Sequence, residues 1–154
     1  SSKIAVDVHV ELPFYGTANN FKVKDTVPFS YNDLANVTEL MLRMDLENGF
    51  PMESSVQLIF TDEQNQPLDT LFNINDVVIP SGTIEAGSER VSIPGKKTHD
   101  QFFDVSRIAK ILNAKNIIVV ATATSANNGN TNVKIFADYQ LKIKIGAIAK
   151  MKIQ

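Results

Sequence analysis

A chain of 154 residues, 44% of them apolar and 21% charged, has the balance of one ordinary globular domain and can bury a core without covalent staples. It contains no cysteine, which removes disulfides, thiolate metal sites, iron–sulfur clusters and cysteine nucleophiles together. A net charge of −2 lacks the basic excess that neutralising a phosphate backbone demands, so no nucleic-acid partner is expected.

Strand-like alternation dominates the chain. From Lys3 to Leu12 the even positions Ile4, Val6, Val8, Val10 and Leu12 are apolar, with Asp7, His9 and Glu11 between them, the period of a strand with one buried face. Pro13 ends the run. Phe21 to Phe29 places Phe21, Val23, Val27 and Phe29 on one side against Lys22 and Lys24, and Pro28 predicts an edge position. Val37 to Glu47 carries Leu40, Leu42, Met44 and Leu46 at period two, against Glu39, Met41, Arg43, Asp45 and Glu47. Asn48-Gly49 then turns the chain. Val56–Phe60, the polar turn Asp62–Pro67 and Leu68–Phe72 read as a hairpin.

Val77–Pro80 and Ser81-Gly82 lead into two short extended pieces, Thr83–Ala86 and Arg90–Ile93. One helix is expected over Asp104–Asn113, with Asp104 as N-cap and Val105, Ile108, Ile111 and Leu112 as its apolar face. Asn116–Thr124 is a β-branched strand, and Asn127-Asn128-Gly129-Asn130 predicts a hairpin turn. Every odd position from Val133 to Ile153 is apolar or alanine. At ~3.3 Å per residue that run would extend roughly 65 Å, so two strands are expected, with a bend or change of partner near Gly146.

Charge divides along the chain. Residues 1–104 hold 16 acids and 7 bases, whereas residues 105–154 hold 1 acid and 8 bases. Asp7 and Glu11 of the first strand would complement Lys142, Lys144, Lys150 and Lys152 of the last if those strands paired; two independently solvated faces are the alternative. Lys144–Ile153 also overlays Lys3–Leu12 without a gap, which fits either two strands of equal period in one domain or the joins of a tandem array.

Catalytic chemistry is sparse. His9 and His99 are the two histidines; one falls on the polar side of a strand and the other in the predicted turn Lys97–Asp100. No G-x-S-x-G elbow and no phosphate-loop template occurs. Asp62, Glu63, Asp69, Glu85 and Glu89 could supply paired carboxylates, but they sit where solvated turns and strand edges carry acids. Asp62–Gln66 lacks the glycine and distant glutamate of a calcium loop and reads as a β-turn. With no Trp and only Tyr15, Tyr31 and Tyr139, the chain offers few platforms for a sugar. Asn36-Val37-Thr38 matches a glycosylation sequon, which has meaning only in a eukaryotic secretory route. Pro13-Phe14-Tyr15-Gly16 is an aromatic cluster that either tucks under a rim or meets a ligand or neighbouring domain. No catalytic, cofactor-binding or metal-ligating residue is therefore expected.

Four segments occur in the order found in the LEA type 2, or water-stress/hypersensitive-response (WHy), β-sandwich family. They are Asn48-Gly49-Phe50-Pro51, the Val56–Phe60 strand with its polar turn, Ser81–Ile84 through Ala86-Gly87-Ser88, and Asp138-Tyr139-Gln140-Leu141. The chain resembles that family over roughly residues 38–145, although Gly49 and Phe50 intervene where the family has Asn directly before Pro. The resemblance implies an all-β, immunoglobulin- or fibronectin-like sandwich with one short helix, and it carries no catalytic residue. It further implies a module of a secreted or outer-surface bacterial lipoprotein, anchored through an N-terminal segment that this chain, starting at Ser1-Ser2, does not hold. The expectation is thus a single domain over 1–154, non-catalytic, with neighbouring domains or surface proteins as partners and no transmembrane segment. Glycan or other ligand binding and LEA-like stress protection are the alternatives.

Overall fold

The computed structural model describes residues 3–8, 14–30, 36–72 and 77–151, the first of these stretches by its backbone alone. It is an all-β sandwich with one short helix, as the alternation predicts. In chain order the strands are β1 (Lys3–Val8), β2 (Phe14–Gly16), β3 (Phe21–Pro28), β4 (Val37–Asn48), β5 (Glu53–Thr61), β6 (Pro67–Thr70) and β7 (Val78–Ile79). They continue as β8 (Thr83–Ile84), β9 (Val91–Ile93), β10 (Gly95–Phe103), β11 (Asn116–Thr124), β12 (Val133–Ile135) and β13 (Leu141–Met151), with helix α1 (Val105–Ile111) between β10 and β11. One sheet has the order β1-β13-β4-β10; the other runs β3-β11-β5-β6, with β7 also on β5. Two further two-stranded pieces, β2 with β12 and β8 with β9, decorate the sandwich.

The alternation in β4 shows why this sequence builds a sheet with one wet face. Leu40, Leu42, Met44 and Leu46 turn inward and are buried, while Glu39, Arg43 and Asp45 are exposed. Met44 and Leu58, from opposite sheets, are both 0% exposed and belong to one continuous core. Burying each such side chain contributes about 1.5–3 kcal/mol. Phe60 stands edge-on to both Phe29 and Phe103, with ring centres 5.2 and 6.1 Å apart, so aromatic contacts link β5 to the ends of β3 and β10. The expected edge position of β3 is found, beside β11 alone.

Helix α1 begins where expected. The Asp104 carboxylate accepts from the Arg107 N–H at 2.9 Å and from the Ser106 hydroxyl at 2.6 Å. Arg107 fixes the helix to the sandwich, donating to Asp69 Oδ2 at 2.9 Å and to the Thr70 oxygen at 2.6 Å, with its guanidinium 4.0 Å above the Phe103 ring. Ile108 and Ile111 are buried, but Val105 and Leu112 are exposed, so the apolar face is narrower than its spacing implies.

Three local expectations are corrected. Lys97–Asp100 is not a turn: it lies in β10, and His99 packs edge-on against Phe72 with ring centres 4.9 Å apart. The inward positions of β10 are Lys97, His99 and Gln101 until Phe103 is reached, so an edge strand of this kind has no apolar alternation to read. The long C-terminal run divides at residues 136–140, not at Gly146, because Tyr139 leaves the strand to bury its ring against Phe50 and Phe136. Asn127-Asn128-Gly129 does turn the chain with positive φ of 55°, 54° and 84°, but β12 continues onto β2 and not back onto β11.

The first and last strands do pair. β1 lies antiparallel to β13, with Asp7 opposite Lys142 and Lys3 opposite Gly146. His9, Glu11, Leu12, Tyr31 and Lys152 lie outside the described residues.

Candidate functional site

Three surfaces carry chemistry. The first is the outer face of the sheet β1-β13-β4-β10, where register stacks residues into rows. Lys142, Glu47 and Lys96 form one row, with the Lys96–Glu47 ion pair at 3.3 Å; Lys144, Asp45 and Thr98 form the next, in which the Thr98 hydroxyl donates to Asp45 at 2.8 Å. Gly146, Arg43 and Asp100 follow, Arg43 donating to both Asp100 oxygens at 2.7 and 2.6 Å. This fork of hydrogen bonds, reinforced by the charge of the guanidinium, holds the Asp100 carboxyl below its ordinary range and raises Arg43.

The next row breaks the pattern. Ile148, Met41 and Phe102 sit side by side in the outward parity of their strands, and Ile148 and Phe102 are 60% and 67% exposed. Beyond them Lys150 pairs with Glu39 at 2.6 Å. The face is therefore a charge-paired ladder interrupted by one apolar row. Lys142, Lys144 and Lys150 stay exposed, and each lies opposite an acid of β4, Glu47, Asp45 and Glu39 respectively, where the sequence pattern pointed only to acids of the first strand.

The second surface is a polar corner of about 240 Å³ whose lining includes Glu47, Arg90, Asp138, Tyr139 and Lys142. Arg90 donates from Nη2 to both Asp138 oxygens at 2.9 Å while stacking 4.2 Å from the Phe136 ring, and the buried Tyr139 hydroxyl accepts from the Val91 N–H at 2.8 Å. These groups satisfy one another.

The third is an apolar cleft at the end of the sandwich where β2 and β12 fold over β3 and β11. Its inner cavity, about 60 Å³, is walled by residues including Val23, Phe50, Ala121, Ala123 and Leu141. An outer cavity of about 380 Å³ adds Phe14, Thr17, Ala18 and Asn19, and Phe21, Met52 and Ile135 line both. The wall is built firmly. Ser125 N–H donates to the Ala18 oxygen at 2.8 Å, and its hydroxyl lies 3.3 Å from both Ala18 N and Ala18 O. Phe14 is 45% exposed, and its ring lies so near Gly16 that a Cβ there would be 2.6 Å from it. Tyr15, in the same strand, is 67% exposed with the Lys134 ammonium 5.9 Å from its ring.

Three of the five carboxylates considered from sequence have separate structural employments. Asp62 Oδ1 accepts from the Gln64 and Gln66 N–H groups at 2.9 and 2.8 Å, which makes the Asp62–Gln66 loop an Asx-type turn. Asp69 pairs with Arg107, and Glu89 with Lys134. Among the described residues no group of three or more His, Asp or Glu is arranged to hold a metal. Sequence reading missed the apolar row and most of the cleft; the row's signal was Met41, an apolar residue in the outward parity of β4.

No family model matches the chain, and no curated protein matches it. In fold it is similar to VP2 of infectious bursal disease virus. The VP2 subviral particle superposes over 97% of this chain with a TM-score of 0.54 at 7% sequence identity. The structure of infectious bursal virus derived T=1 particles gives 0.54 at 6% identity over 97% of this chain. The chain spans about a third of the length of these structures, 33% and 32%. Identity this low carries the sandwich fold and nothing about function.

Proposed function

We propose that this domain is a non-catalytic structural or interaction module that packs against another protein surface through the outer face of β13-β4-β10. The observation that carries the reading is the row Ile148, Met41 and Phe102, an apolar strip on a face otherwise given to paired charges. Exposed apolar strips rimmed by polar groups mark protein contacts, and the flanking pairs Arg43–Asp100 and Glu39–Lys150 would fix the register of a partner. VP2 in the similar structures is a particle subunit, so a sandwich of this shape is compatible with packing side by side. Membership of a secreted or surface-anchored bacterial protein rests on the resemblance of Asn48–Pro51 and Asp138–Leu141 to the LEA type 2 pattern.

The test is sedimentation velocity on the protein, comparing the parent with the double substitution Phe102→Ser, Ile148→Ser. Both side chains are exposed, so the melting temperature should hold while association is lost. Absence of association in the parent, or association that survives the substitutions, sinks the reading. A second reading, a glycan-binding module, is favoured by the exposed Tyr15 ring beside Lys134. A reproducible glycan-array hit lost on Tyr15→Ala would support it.

A further inference from the structure

We propose that the cleft between the β2–β12 piece and the β3–β11 end of the sandwich is a binding site for a small, uncharged, apolar molecule with a slim or flat body. Three observations converge on it. Its two cavities share Phe21, Met52 and Ile135, so the outer space of about 380 Å³ adjoins the inner one of about 60 Å³ and the two form one apolar region. Not one residue lining either cavity is charged, although a fifth of the chain, 21%, is. Any charge placed there would lose its hydration without gaining a partner, which excludes anionic and cationic ligands. The size also selects: pockets of a few hundred Å³ with apolar walls and a few polar groups suit small molecules, and the space is too small for a helix.

The rim supplies the rest. Phe14 and Phe21, 45% and 44% exposed, offer aromatic surface at the mouth. Thr17, Asn19 and Thr122 provide neutral hydrogen-bonding groups for one polar end of the ligand, such as a hydroxyl. The walls are held by the Ala18–Ser125 hydrogen bonds and by the small cluster of Ala18, Met52 and Val133, so the cleft is formed before a ligand arrives. This site lies apart from the Ile148–Met41–Phe102 row and does not depend on it.

The experiment is a fluorescence titration with N-phenyl-1-naphthylamine, an uncharged apolar probe, run on the parent, Ala123→Phe, Phe21→Ala and Phe102→Ala. The parent should bind one probe saturably. Ala123→Phe fills the cavity and should weaken binding at least about tenfold. Phe21→Ala removes an exposed rim ring, leaves the fold intact and should weaken binding several-fold, which keeps the test decisive if Ala123→Phe does not fold. Phe102→Ala, on the sheet face, should bind like the parent. The proposal is overturned by the absence of a saturable signal, as when the chain's own residues fill the cleft. Equal binding by Phe21→Ala and the parent, or tighter binding of the anionic probe anilinonaphthalene sulfonate, overturns it as well.

Discussion

The side-chain amide of Asn48 donates to the main-chain oxygen of Pro80 at 3.1 Å, tying the end of β4 to a segment 32 residues further on. The same nitrogen donates to the Met52 oxygen at 2.6 Å, and Asn48 Oδ1 accepts from the Phe50 N–H at 3.0 Å. Asn48 is 0% exposed, so these bonds satisfy a buried amide and hold three chain segments at the corner above the core. Asn48→Ala should therefore cost about 2–3 kcal/mol, since it removes the donor from the buried Met52 carbonyl and unties the Pro80 segment. Asn48→Asp should cost more, because it sets an acceptor against two acceptors. Urea denaturation of both variants checks the order; equal stability of Asn48→Ala and the parent contradicts it.

Gly95 meets the same corner from β10. A Cβ there would lie 1.9 Å from the Pro80 oxygen and 2.7 Å from its carbon, atoms of main chain that cannot swing aside. Gly95→Ala must displace either β10 or the Pro80 segment, and a loss of about 2 kcal/mol or more is expected, measurable as a lower urea midpoint. At Gly87 nothing lies within 4 Å of a Cβ, but its φ of +82° makes Gly87→Ala a purely conformational cost of roughly 1 kcal/mol.

Legibility in the sequence followed where each strand's faces differ. β4 and β13 could be read because each lies between two partners and buries one apolar parity, β11 because it is a β-branched run with Ile117, Ile118 and Val119 all buried, and the β5–β6 hairpin because Asp62–Pro67 announces its turn. β10 could not, since an edge strand can hold His99 and Gln101 on its inner parity. The break before β13 was hidden because Tyr139, in a loop, keeps the parity of the strand that follows and is buried like it. The charge complement of the C-terminal lysines was visible, yet its other partner, the Glu39, Asp45 and Glu47 side of β4, is a matter of strand order that alternation does not encode. The cleft is formed by β2, β3, β11 and β12, segments that pattern alone does not bring together, and only Phe14 at its rim stood out.

Acid should unfold this domain partly through two carboxylates. Asp104 is held below its ordinary range first by the Ser106 hydroxyl and then by the Arg107 N–H, and Asp100 first by hydrogen bonds from Arg43. A depressed folded-state pKa means the unfolded chain takes up the proton first, so the stabilisation is complete above the unfolded value of 3.8 and fades as pH falls through the lower folded value. Melting temperature should therefore fall below about pH 4, and less steeply in Asp104→Asn and Asp100→Asn than in the parent. Identical slopes in all three proteins contradict the assignment.

The rows on the outer sheet face make a charge reversal at Lys142 informative. By register position 142 lies between Asp7 of β1 and Glu47 of β4, so Lys142→Glu would set a third acid beside two already there. Opposite charges across neighbouring strands stabilise by a few tenths to 1 kcal/mol and like charges destabilise by similar amounts, so a net loss of roughly 1–2 kcal/mol is expected. Because Lys142 is exposed, salt should screen the repulsion, and the gap between variant and parent should narrow on moving from low ionic strength to about 1 M. Adding Glu47→Lys to Lys142→Glu reverses both charges of the central pair but sets the new lysine beside Lys96, so the double variant should recover part of the loss and not all of it. Chemical denaturation in urea, which leaves ionic strength free to vary, measures the parent and both variants at low and high salt. A loss at Lys142→Glu that is independent of salt would mean that packing, and not the register of charges, holds β13 between β1 and β4.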